Sequence, residues 1–88
     1  MISRQVKAMR QKLGLTQEGF AAVLGLSFVS VNKWENEASA PTGLSAVMLE
    51  LLQNSLAATA PERVLASLRT CNGSPIDVVR TLTKLERR

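Results

Sequence analysis

Histidine is absent from the chain, and cysteine occurs once, at Cys71. Without imidazoles, histidine-based acid–base catalysis is excluded, and so is a Cys/His zinc site. A lone cysteine excludes a disulfide framework within one chain, and as a nucleophile it would lack its usual base. Cys71 is therefore read as a small helix-packing or surface residue. Aromatic residues reach only 3%, so the core must be aliphatic. Scarce β-branched runs beside abundant Ala and Leu favour helices over strands. No apolar run approaches a membrane span, and no basic-then-apolar leader opens the chain. The expected setting is a reducing cytoplasm with no membrane partner. No phosphate-binding glycine loop is present. The carboxylates Glu18, Glu35, Glu37, Glu50, Glu62, Asp77 and Glu86 form no convincing pair with a nucleophile. The expectation is a protein that is not an enzyme and needs neither cofactor nor metal.

What is present suits one small helical domain. The chain has 88 residues, of which 45% are hydrophobic, enough for a single core. The net charge is +4. Residues 1–55 hold five Lys/Arg against four Asp/Glu, and residues 56–88 hold six against three. The basic surplus thus lies mainly in the tail, which ends Lys84-Leu85-Glu86-Arg87-Arg88. A mild positive balance is compatible with nucleic acid without showing it.

The apolar residues Ile2, Val6, Met9 and Leu13 make one helical stripe, with Gly14 as a left-handed stop. Thr16 can cap a second helix over about 17–24, although Gly19 stands where a capping box would place an acid. Phe20, Ala21 and Leu24 face inward, and Gly25 ends that helix. Ser27 caps a third helix over about 28–36. Two short helices joined by a short glycine-containing turn have the shape of a helix-turn-helix. Thr42 can cap a fourth helix with the stripe Leu44, Val47, Met48, Leu51 and Leu52. Thr59-Ala60-Pro61-Glu62 reads as a capping box for a fifth, with Val64, Leu65 and Leu68 inward. Ser74-Pro75-Ile76-Asp77 repeats that grammar for a sixth, with Ile76, Val79, Leu82 and Leu85 as its stripe. Ala57-Ala58 is the expected hinge between segments 1–56 and 57–88.

The third helix poses a question. Its segment "SFVSVNKWENE" places Val31, Trp34 and Glu35 on one side. Phe28, Val29, Asn32, Lys33 and Asn36 then fall on the other. Two bulky apolar residues beside an amide and an ammonium are unusual on a water-facing helix, and an exposed apolar patch marks an interaction site.

The stretch "LGLTQEGFAAVLGLSFVSVNKWENEASAP" resembles the XRE family of helix-turn-helix proteins, that of the lambdoid phage repressors and Cro. The resemblance rests on Arg10, Leu13 to Gln17, Phe20-Ala21, Leu24 to Ser27, Val31, Trp34 to Asn36 and Pro41, and covers roughly residues 2–55. It implies an all-α, lambda-repressor-like bundle, here with about two additional C-terminal helices. It also implies a third helix in the major groove of double-stranded DNA. There Phe28 and Val29 would meet thymine methyls or sugar, Lys33 guanine acceptors, and Asn32 adenine or backbone. Gln17 and Asn36 would contact phosphates, and Ser27 would add a secondary contact to its capping role. Arg10 and Glu35 match a structural pair linking helices one and three.

The chain departs from the family in two places. Glu37 stands where the family carries glycine, and Ala38, Ser39 and Ala40 replace basic residues before the proline. Fewer neutralised phosphates imply modest affinity per monomer, recovered by dimerisation. The reading implied is a repressor that binds a near-palindromic operator as a homodimer, with residues 57–88 as dimer or partner segment. The alternatives are an antitoxin whose C-terminal half binds a toxin protein, and a protein-interaction adaptor that has lost DNA binding.

Overall fold

Six helices follow one another in the computed structural model, which describes residues 3–86. They are α1 (Ser3–Lys12), α2 (Gln17–Leu24), α3 (Phe28–Glu35), α4 (Gly43–Ala58), α5 (Pro61–Arg69) and α6 (Pro75–Glu86). No strand occurs among the described residues. Ile2 of the first stripe and the terminal Arg87-Arg88 lie outside them.

The first three helices end in the same way. Gly14, Gly25 and Glu37 each adopt a left-handed backbone, with φ of 71°, 72° and 62°. At each end the next residue's N–H reaches back five residues: Leu15 to the Arg10 carbonyl at 3.2 Å, Leu26 to Ala21 at 2.8 Å, Ala38 to Lys33 at 2.9 Å. This is the Schellman closure, which satisfies carbonyls that a helix end leaves orphaned. Thr16 and Ser27 cap α2 and α3 by accepting from Gly19 N–H and Ser30 N–H, at 3.0 and 3.1 Å.

One core, aliphatic except for Phe20 and Trp34, runs through all six helices. Val6, Met9 and Leu13 come from α1 and the turn after it, Phe20, Ala21 and Leu24 from α2, and Val31 and Trp34 from α3. Met48, Leu49, Leu52 and Leu56 of α4 join Val64 and Leu68 of α5, Cys71, and Val78 and Leu82 of α6. Cys71 is buried, its thiol directed at the Ser67 carbonyl and the Thr81 hydroxyl. The helix α4 is the central strut, packed by α1, α5 and α6, and it remains helical through Ala57 and Ala58.

Three sequence expectations are corrected here. The buried face of α4 begins at Met48 and includes Leu49, whereas Leu44 and Val47 are exposed. A strut gripped by three helices buries a broad face, and a single-stripe reading misplaces its centre. Thr59 does not cap α5, whose N-cap is Ala60 with no side-chain bond. Only two residues separate α4 from α5, and Thr59 is already the C-cap of α4, its N–H bonded to the Ser55 carbonyl at 2.8 Å. Its hydroxyl is buried without a hydrogen-bond partner. In α6 the buried residues are Val78 and Leu82, while Ile76 is 66% exposed. Apolar residues at 76, 78, 79, 82 and 85 allow two helical phases, and packing on α4 selects the one through Val78.

The helix-turn-helix turn is clamped by the C-terminal helices. A Cβ placed on Gly25 would lie 2.4 Å from the Gly73 carbonyl oxygen and 2.9 Å from Pro75 Cδ. The backbone between α2 and α3 therefore touches the backbone between α5 and α6. Only glycine permits this approach together with the positive φ.

Candidate nucleic-acid interface

The inner face of α3 is fully committed. Val31 is 0% exposed and Trp34 6%, and the Glu35 side chain is 4% exposed. At about 100° per residue, positions 28, 29, 32, 33 and 36 then share an arc of roughly 140° on the opposite side. Phe28 and Val29 stand on that arc 46% and 58% exposed. Lys33 and Asn36 are exposed and Asn32 is half-buried. The apolar pair is thus not covered by a neighbouring loop.

Charge holds the two faces in register. Arg10 of α1 grips Glu35 with two hydrogen bonds, Nε to Oε2 at 2.7 Å and Nη2 to Oε1 at 2.9 Å. Its third nitrogen donates to the Leu15 carbonyl at 3.0 Å, so one guanidinium ties α1, the α1–α2 turn and α3. Burial by itself would push the Glu35 carboxyl up. The hydrogen bonds from Arg10 and Gln17, with the charges of Arg10 and Lys7, outweigh it and hold that carboxyl below its ordinary value. Donating to Glu35 in turn raises the Arg10 pKa above its ordinary value.

An amide chain extends from this pair to the surface. Gln17 Nε2 donates to Glu35 Oε1 at 3.1 Å. Asn32 Nδ2 donates to Gln17 Oε1 at 3.0 Å, and Asn36 Nδ2 to Asn32 Oδ1 at 3.1 Å. Three residues expected to contact DNA one by one are therefore joined to each other. Ser27 accepts from Ser30 N–H and donates to Ser30 Oγ at 2.9 Å, so its hydroxyl is engaged as a cap. Sequence reasoning missed the carboxylate's role as anchor for Gln17. Only the placement of α2 against α3 reveals it.

The family model described as Helix-turn-helix matches residues 6–52, more than half of the chain. The chain belongs to the XRE-type helix-turn-helix family. It is a DNA-binding regulator of the XRE kind, built on an all-helical bundle. No curated protein and no solved structure gives a significant match. As a member of this family the chain carries its helix-turn-helix on α2 and α3, which lie within the matched segment, as does most of α4. The helices α5 and α6 lie beyond it. Among the described residues no helix is long and apolar enough to cross a membrane, and no cluster of His, Cys, Asp and Glu could hold a metal ion.

Proposed function

We propose that this chain is a transcriptional repressor that reads a near-palindromic operator as a dimer, with α3 in the major groove. The observation that carries the reading is the outer face of α3. Phe28 and Val29 stay exposed beside Lys33 although the opposite face is sealed into the core. The major groove offers thymine methyls to the apolar pair and guanine O6 and N7 to the ammonium. Gln17 opens α2, where a side-chain amide and a helix N-terminus together suit a phosphate. Asn36, at the other end of α3, reaches a second phosphate, and Ser27 makes a secondary contact while capping.

Dimerisation is proposed through residues 57–88. The inner residues of α5 and α6 are covered by their own chain, so Ile76 is the apolar surface on this segment that supports pairing. Light scattering of the full chain at high concentration tests it, and a persistent monomer removes the dimer from the proposal.

In vitro selection from random duplexes tests the whole reading. The expected result is one enriched, near-palindromic sequence whose half-sites lie about 34 Å apart. A pool that remains random after successive rounds ends the proposal.

A further inference from the structure

Glu35 is an ionised carboxylate and can only accept hydrogen bonds. Gln17 meets it with Nε2, at 3.1 Å. That single contact sets which way the Gln17 amide faces, because its oxygen must then point away from the carboxylate. It points at Asn32, which answers with its own NH2 group at 3.0 Å. The oxygen of Asn32 is thereby turned toward Asn36, whose NH2 group meets it at 3.1 Å. The direction of three amides is dictated by one buried carboxylate.

Each amide in the row spends one N–H on its neighbour, and an amide nitrogen carries two. Gln17, Asn32 and Asn36 each retain an N–H of fixed direction. Phosphate oxygens are acceptors, so N–H groups are the useful end of an amide there, and a reversed amide would present an oxygen to an oxygen. Side chains already held in place lose little further freedom on binding.

Reading adenine makes the opposite demand on Asn32. A bidentate pair with the adenine edge needs both ends of the amide. In Asn32 both ends serve protein partners, and the side chain is half-buried.

We propose that Asn32 is a positioning residue and not a base reader: it locks Gln17 and Asn36 so that their remaining N–H groups meet DNA phosphates. This rests on α3 being the groove helix and names the DNA group met at this edge of it.

The experiment uses the full chain as wild type, Asn32→Ala, Gln17→Ala and the double variant. Binding is measured to the selected duplex and to a scrambled one. In the free protein, the heteronuclear 15N relaxation of the Gln17 side-chain amide reports whether that group is held. The expected result is a rigid Gln17 amide in wild type that becomes mobile in Asn32→Ala. Binding of Asn32→Ala to both duplexes should weaken by a similar factor, roughly three- to tenfold for one hydrogen bond's worth. Its selected sequence should be unchanged, and the double variant should lose less than the two single losses combined, because with Gln17 gone only the hold on Asn36 is left to lose. Asn32→Asp, which keeps the size of the side chain but cannot donate to Gln17, should release the Gln17 amide in the same way.

Three results would overturn the proposal. One is a Gln17 amide equally ordered with and without Asn32. Another is an altered base preference at one operator position in Asn32→Ala. The third is additive losses in the double variant. If wild type binds neither duplex while Gln17 still loosens in Asn32→Ala, the groove reading of α3 falls and the lock itself stands.

Discussion

The Arg10 guanidinium holds Glu35 from 25 residues away in sequence, its Nε 2.7 Å from Oε2 and its Nη2 2.9 Å from Oε1. Only 15% of the arginine side chain and 4% of the glutamate side chain are exposed. Removing one partner of such a pair leaves the other charged and buried. Arg10→Ala should therefore cost about 3–5 kcal/mol of stability, read by urea denaturation. Arg10→Lys should recover only part, because an ammonium cannot grip both carboxylate oxygens and the Leu15 carbonyl at once.

Acid should act through the same pair. The Glu35 carboxyl titrates below its ordinary value in the folded protein, which is about 4.3 unfolded. A lowered folded value contributes stability that is fully present above the unfolded value and is lost as pH falls through the folded one. Thermal midpoints recorded downward from pH 5 should fall in that window. Glu35→Gln should start less stable and show a shallower decline. With no histidine in the chain, no side chain of ordinary pKa titrates between pH 5 and 8.

Glu37 occupies the left-handed residue that closes α3, with φ of 62°. A side chain there costs about 1–2 kcal/mol that glycine avoids. Glu37→Gly should stabilise the protein by about 1 kcal/mol in chemical denaturation, since its N–H and that of Ala38 already close on Trp34 and Lys33. Glu37→Gln keeps the strain but removes the acid. It should leave stability near wild type while binding DNA more tightly, most visibly at low salt.

Two glycines of almost equal φ should respond very differently to alanine. Gly14 has φ of 71° and open space where a Cβ would go, so Gly14→Ala should cost about 1–2 kcal/mol from the backbone alone. Gly25 has φ of 72° and the Gly73 oxygen 2.4 Å from that Cβ position. Gly25→Ala adds a clash costing about 1–3 kcal/mol more. Parallel urea titrations of both variants measure the difference. Equal losses would mean that the two turns do not touch in solution.

Specificity should separate Lys33 from Gln17. Lys33→Ala should relax base preference at one operator position, at a cost of about 1–3 kcal/mol if its contact is bidentate. Gln17→Ala should weaken all sequences alike. Competition binding against single-position operator variants distinguishes the two. A loss of specificity that is the same in both would remove the assigned roles.

Local punctuation was legible where one residue type does one job. Gly14 and Gly25 marked the ends of α1 and α2, and Thr16 and Ser27 their successors' starts, because those sites demand a positive φ or a hydroxyl. The third closure was not legible, since Glu37 does a glycine's work without a glycine's signature. Leu44 and Ile76 were misplaced for a different reason. A stripe in α4 or α6 has a period that the sequence shows, but its phase is chosen by whichever helix lies against it. The outer face of α3 followed from periodicity alone. The amide row did not, because Gln17 and Asn32 sit on separate helices and meet only when α2 and α3 are docked.

The contact between Gly25 and Gly73 also bears on how this architecture can be rearranged. The segment shared with the family ends at residue 52, yet the bend that sets the direction of α3 leans on backbone at Gly73, well beyond that segment. Domain grafts that cut at the family boundary would carry away the blade without its handle. A chimera that keeps this bend can accept a donor tail only where that tail leaves the Gly25 backbone the room that Gly73 leaves it here.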